Sequence, residues 1–293
     1  MMKKFLFFAV AAMAAFSSCT NEFDPVAAVE GQAFTATIES SSVSRTYLAP
    51  GSDADHKKVC WSNGDAISVN GVSYYAQVNA ADASKATFVA NGAAARKNAQ
   101  NKFVGVYPAS IASPAGGYAL PSVINYEANS FANMPMYAET ATDNFTFRNI
   151  TSVLAITVKS TDIATLKSIK VSSANEALSG DFTVMEDANG PWAELSEGAK
   201  ASKQPLVLTL ATAATLTTAG TTYYIPIPIQ TYHELKVELS SDGSTYTEAK
   251  TTRLGYEVVV ERNRIYELVF DGGDPAPLEI PIGGPGIFDA RQN

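Results

Sequence analysis

Trp61-Ser62-Asn63-Gly64-Asp65-Ala66-Ile67-Ser68-Val69-Asn70-Gly71-Val72-Ser73-Tyr74-Tyr75-Ala76-Gln77-Val78 decides how this chain is read. Ile67 and Val69 alternate with Ser68. Asn70-Gly71 follows, and alternation resumes through Ser73–Val78. Asn-Gly between two alternating runs is a strong hairpin signal, because the tight turn needs positive φ at both central positions. Upstream, Ser62-Asn63-Gly64-Asp65 reads as a second turn after the apolar run Val59-Cys60-Trp61. Period-two alternation punctuated by turns predicts strands rather than an amphipathic helix.

The same grammar runs outward in both directions. Phe34, Ala36 and Ile38 alternate with Thr35, Thr37 and Glu39, so 33–39 is the first strand. Thr87-Phe88-Val89, Lys102–Tyr107 and Phe145/Phe147 read as further strands. Two weaker segments lie at Tyr118–Leu120 and Val123–Tyr126 within an otherwise loop-rich stretch. In the second half, the β-branched run Val153–Val158 is expected to be a central strand. Leu166–Val171, Leu178–Val184 with a kink or bulge at Gly180, Trp192–Leu195, Leu206–Leu210 and Leu235–Leu239 follow. Tyr223–Ile229 alternates Ile with Pro, and proline cannot donate to a ladder, so it belongs at an edge. Tyr256, Val258 and Val260, then Arg262-Asn263, then Ile265–Phe270 read as a closing hairpin. No run shows a helical period. The reading is all-β, with two sandwich domains at 33–147 and 148–270.

The start of the chain is of another kind. Lys3 and Lys4 precede an apolar stretch from Phe5 to Phe16, closed by Ser17-Ser18-Cys19. A basic start, a short apolar core and small residues describe an export leader. The core is about a dozen residues, against the roughly 20 a bilayer span needs. Residues 1–19 are therefore read as a lipoprotein signal whose Cys19 becomes the lipidated first residue, and 20–32 as a tether. At the other end, the Gly/Pro-rich linker from Asp271 leads to Leu278, Ile280 and Ile282, alternating with Glu279, Pro281 and Gly283, and then to Ile287-Phe288. Such a strand folds back on its own domain or pairs with a sheet edge of another molecule.

Composition narrows the function. The chain carries 21 Lys and Arg against 29 Asp and Glu, a formal charge of -8, and loses Lys3 and Lys4 with the leader. That balance argues against nucleic acid and bare acidic membranes as partners. Once Cys19 is lipidated, Cys60 is left without a disulfide partner. The two histidines, His56 and His233, lack companions at metal-ligand spacing, and Cys60 four residues after His56 does not complete a zinc site. Cys60 reads as a buried small hydrophobe, and Asp65 as a turn aspartate that accepts backbone donors. Asp53, Asp55 and Asp65 have no ion-binding spacing, and Glu194 and Glu197 read as solvated loop charges. Most tyrosines fall within strand patterns, where core packing is the default. No nucleophile elbow, phosphate loop or metal motif is present, so neither an enzyme nor a cofactor is expected.

An ordered set of features resembles the Bacteroidales fimbrillin-like lipoproteins, the major and minor subunits of type V pili. The set comprises the lipobox ending at Cys19, the first strand Ala33–Glu39 and Ser44-Arg45-Thr46, which is similar to the family's Thr-Arg-Thr. It continues with Trp61–Val69, similar to Trp-x-x-Gly-Asp-x-Ile-x-Val, then Val104–Pro108, Asn149–Leu154, Leu178-Ser179-Gly180 and Tyr223–Pro228. The position three before Cys19 is Phe rather than the commoner Leu. The resemblance implies two transthyretin-like sandwiches and export to the outer membrane and cell surface with lipid (palmitate) on Cys19. It further implies proteolysis after Arg45, and filling of the vacated first-strand groove by a neighbour's C-terminal strand, here Leu278, Ile280, Ile282 and Ile287. Its partners would be other fimbrial subunits and a host or bacterial surface ligand. Arg45 also reads as an ordinary solvated loop arginine. The competing reading of the whole chain is a lipid-anchored surface adhesin or glycan- or protein-binding module, including a tip or anchor subunit.

Overall fold

The computed structural model describes residues 31–39, 60–78, 81–113, 116–126, 134–251, 257–262 and 264–269. Strands of the first half are β1 (Ala33–Ile38), β2 (Ala66–Val69), β3 (Val72–Val78), β4 (Lys85–Ala90), β5 (Phe103–Tyr107), β6 (Tyr118–Leu120), β7 (Val123–Tyr126), β8 (Met136–Thr140) and β9 (Asn144–Asn149). The second half supplies β10 (Ser152–Val158), β11 (Thr165–Ser173), β12 (Gly180–Asp187), β13 (Gly190–Leu195), β14 (Leu206–Thr215) and β15 (Thr221–Ile227). It continues with β16 (Thr231–Tyr232), β17 (Leu235–Ser240), β18 (Thr247–Thr251), β19 (Val258–Val259) and β20 (Ile265–Val269). The architecture is all-β, built of several sheets.

The opening stretch folds as its pattern predicts. Asn70 and Gly71 have φ of 46° and 85°, and Val69 pairs with Val72 across them. Asp65 Oδ2 accepts the Ser62 N–H at 2.7 Å, and Oδ1 accepts the Tyr107 hydroxyl at 3.0 Å. Cys60 is buried and free, and Trp61 is 1% exposed. Around this hairpin, seven strands close into a barrel in the order β1-β4-β3-β2-β5-β8-β9. Alternation sends Phe34, Ile67, Tyr74, Phe88, Phe145 and Phe147 inward, where they form one core with Trp61. The Trp61 ring meets Phe88, Tyr107 and Phe147 edge-on at 5.0, 5.4 and 5.5 Å, a favoured aromatic geometry. Gly105 on β5 makes room for these rings: a Cβ there would lie 2.9 Å from Phe147 Cζ and 3.2 Å from Phe145 Cε1.

A second core joins two facing sheets. One has three strands in the order β15-β10-β20, the other five in the order β18-β17-β11-β14-β7. Leu154, Ile156 and Val158 of β10 meet Leu166, Ile169 and Val171 of β11 in a fully buried layer. Val153–Val158 is thus the central strand its composition implies. Among the described strands the Pro-bearing β15 lies at the edge of its sheet, paired with β10. A third sheet, β13-β12-β6, packs Phe182, Ala193 and Leu195 against the outward side of the barrel at Val106 and Tyr137.

Several elements depart from the sequence pattern. The weak segments at 118–126 are strands, but both pair with second-half strands. β6 runs antiparallel to β12, and β7 parallel to β14, with Ile124 opposite Leu208. Among the described residues the expected closing hairpin is not formed: β19 pairs with β16, and β20 runs parallel to β10. β10 is buried on both faces and takes a neighbour on each side, so it captures β20. The Tyr266 hydroxyl secures the crossing, donating to Val259 O at 3.0 Å and accepting Glu261 N–H at 2.8 Å. A short helix, α1 (Glu197–Ser202), follows β13. Ser196 caps it by accepting the Ala199 N–H, which places Glu197 in the first turn.

Two substitutions test the barrel core. Gly105→Val should lower unfolding free energy by about 1–3 kcal/mol through overpacking against Phe145 and Phe147. Trp61→Ala should lower it by about 3–5 kcal/mol through cavity formation. Denaturant titration followed by far-UV circular dichroism reads both.

Candidate functional site

The element most tied to the expected function is β1 and the place it occupies. β1 lies between β4, to which it runs antiparallel, and β9, to which it runs parallel. Phe34 faces Phe88 across one ladder, and Ala36 and Ile38 face Phe145 and Phe147 across the other. These three inward side chains are buried. Phe34 alone contacts three rings, Tyr74, Phe103 and Phe145, with centroids at 5.0, 4.9 and 5.1 Å. Burying a side chain of this size stabilises by about 1.5–3 kcal/mol.

Polar groups register the strand along its length. At its start, Tyr74 donates its hydroxyl hydrogen to Gln32 Oε1 at 2.6 Å and accepts the Ala95 N–H at 2.7 Å. Burial raises the Tyr74 phenol above its ordinary value, partly offset by that Ala95 N–H. In the middle, Thr35 N donates to Asp143 O and the Thr37 hydroxyl to Phe145 O. Just past the end, Glu39 N donates to Phe147 O at 2.8 Å. The Glu39 carboxylate accepts Arg262 from the second half at 2.7 Å, and the Asn149 N–H at 3.2 Å. Taking β1 out would leave β4 and β9 as open edges and uncover a floor of aromatic rings, an arrangement that favours pairing with another extended segment.

The residues singled out from sequence fall in different places. Cys19, Arg45, Asp53, Asp55, His56, Leu278, Ile280, Ile282 and Ile287 lie outside the described residues. His233 is half exposed, and its Nδ1 lies 2.6 Å from Glu176 Oε1, with Glu257 3.6 Å from Nε2. Glu194 is no loop charge: it sits on β13 and accepts Lys200 at 2.6 Å and the Trp192 indole N–H at 3.2 Å. Among the described residues, no group of three or more His, Cys, Asp or Glu could hold a metal ion. Nor is any helix there long and apolar enough to cross a membrane. Sequence reading missed the Glu39–Arg262 pair. Its members lie 223 positions apart, and nothing local marks either one.

Two measurements follow. Phe34→Ala should cost about 3–5 kcal/mol of stability, read by denaturant unfolding, because three rings lose a common partner. The hydrogen bond to Glu176 raises His233 above its ordinary value, with burial opposing. Folding therefore favours the protonated ring. Its stabilising contribution is complete below about pH 6.5 and fades as pH rises through the folded-state value. A proton NMR titration of His233 should show the raised value, and Glu176→Gln should bring it down.

No family model matches the chain, and no curated protein does. Solved structures show a distant likeness over most of its length. A protein described as a candidate cell adhesion protein from Bacteroides uniformis is 15% identical over 82% of this chain and 93% of its own, with a TM-score of 0.40. A similarly described protein from Bacteroides ovatus is 14% identical over 83% and 92%, with a TM-score of 0.46. A third, from Bacteroides eggerthii, is 13% identical over 88% and 94%, with a TM-score of 0.32.

Proposed function

We propose that this chain is a cell-surface protein of adhesion or fimbrial type, exported as a lipoprotein and held at the outer membrane through lipid on Cys19. It assembles by exchange of the strand in the β1 slot. The observation that carries this reading is the position of β1, the strand that joins β4 to β9 and closes the barrel. Two sequence features fit with it. Arg45 stands shortly after β1, where a cut detaches the strand together with the lipid. The tail residues Leu278, Ile280 and Ile282 repeat the spacing of Phe34, Ala36 and Ile38, with Ile287 beyond them. A donor strand and a slot at different places on one chain join copies head to tail and build an open filament. In this reading 33–147 and 148–270 are two transthyretin-like sandwiches, and the partners are other fimbrial subunits and a host or bacterial surface ligand.

A second reading keeps the barrel closed and the lipid in place, as a surface adhesin or glycan- or protein-binding module. The ion pair between Glu39 and Arg262 favours it, since a strand that leaves has to break that tie. The test is to cleave after Arg45 and run the product unboiled on a denaturing gel. The assembly reading expects a detergent-resistant ladder, and deletion of 278–287 should leave folded monomers. Monomers alone, even with excess cleaved protein, leave the closed adhesin. In either case Cys19→Ser should abolish incorporation of radiolabelled palmitate.

A further inference from the structure

We propose that Arg262 is a specificity determinant of the β1 slot. It selects an occupying strand that carries a carboxylate at the place of Glu39, one residue past the third inward side chain. The inference rests on the reading that β1 can leave its slot.

The guanidinium is held independently of Glu39. Arg262 Nε donates to Asn189 O at 2.8 Å, and its NH1 lies 3.3 Å from Asn149 O. Gly190 lets the β12–β13 turn lie against it: a Cβ at this position, where φ is +110°, would come within 2.8 Å of Arg262 Cζ. Arg262 is therefore fixed by second-half backbone and Asn149, with NH1 presented to whatever follows the strand in the slot. Glu39 meets it at 2.7 Å, and the two side chains are only 16% and 14% exposed. A neutral residue at position 39 would leave a largely buried cation without its counter-charge, which is costly where water cannot replace the lost partner.

The full requirement is thus three apolar side chains at alternate positions followed directly by an acid, as in Phe34, Ala36, Ile38 and Glu39. The C-terminal tail meets only part of it. Setting Leu278, Ile280 and Ile282 on the inward positions puts Gly283 opposite Arg262. Sliding the tail so that Glu279 faces Arg262 leaves Leu278 on the third position, with Ala276 and Asp274 on the other two. The tail can thus meet the apolar part of the requirement or the acidic part, but not both in one register.

The test uses the full chain cleaved after Arg45 by limited arginine-specific proteolysis, with the cut verified by mass spectrometry. Fluorescein-labelled peptides of residues 31–43, with the native sequence or with Glu39→Gln, are titrated by anisotropy alongside a peptide of 276–288. The native peptide should bind at least tenfold more tightly than the Glu39→Gln peptide, about 1.4 kcal/mol. On an Arg262→Gln protein that gap should shrink to about twofold or less. Binding of both β1 peptides to the unsubstituted protein within about twofold overturns the role of Arg262, whatever the folding of the Arg262 variant, and leaves the strand-exchange reading standing. If no peptide enters the cleaved protein, the strand-exchange reading falls, and selection by Arg262 falls with it.

Discussion

A β-sheet that curls on itself has to find a hydrogen-bonding partner for each of its last two strands. Here that requirement falls on one short segment. β4 and β9 do not bond each other; β1 lies between them, antiparallel to one and parallel to the other. That segment closes the barrel, and its Phe34, Ala36 and Ile38 share one core with Phe145, Phe147 and Trp61. Unpaired edges and exposed rings are costly in water, so the slot is always favoured to be filled. In the proposed assembly, what differs is which strand fills it.

The barrel interior shows how tightly that choice is shaped. Its rings pack edge to face, and Gly105 gives up a side chain so that Phe145 and Phe147 can reach the backbone of β5. Ala36, the middle inward residue of β1, is the small member among large neighbours and pairs with Ala86 on one side and Phe145 on the other. Close-packed interiors tolerate little added volume.

The two halves of the chain are tied together by more than succession. β6 and β7 lie in sequence among the first-half strands but complete sheets of the second half. Arg148 pairs with Glu186, and Arg262 reaches Glu39. The first of these pairs is partly exposed and adds little. The second is largely buried and sits just past the end of β1. A second-half residue thereby holds the end of a first-half strand.

The amino-acid sequence by itself determined the all-β class, the hairpin at Asn70-Gly71, the central place of 153–158 and the edge place of the proline-bearing strand. Each of these rests on local chemistry: positive φ at a turn, period-two burial, a missing N–H. The leader, Cys19, Arg45 and the alternating tail are likewise legible there as candidates, since their signals are short linear patterns. Pairing between distant strands was not legible. The alternation in 258–270 suited a hairpin as well as it suited two separate sheets, and only the need of the buried β10 for a neighbour on each side sent β20 elsewhere. The meeting of Glu39 with Arg262 was equally hidden, because a charge shows nothing of its partner until the chain is folded. Tertiary structure alone decided it, by fixing the guanidinium on the carbonyls of Asn189 and Asn149 and bringing the end of β1 within hydrogen-bonding distance.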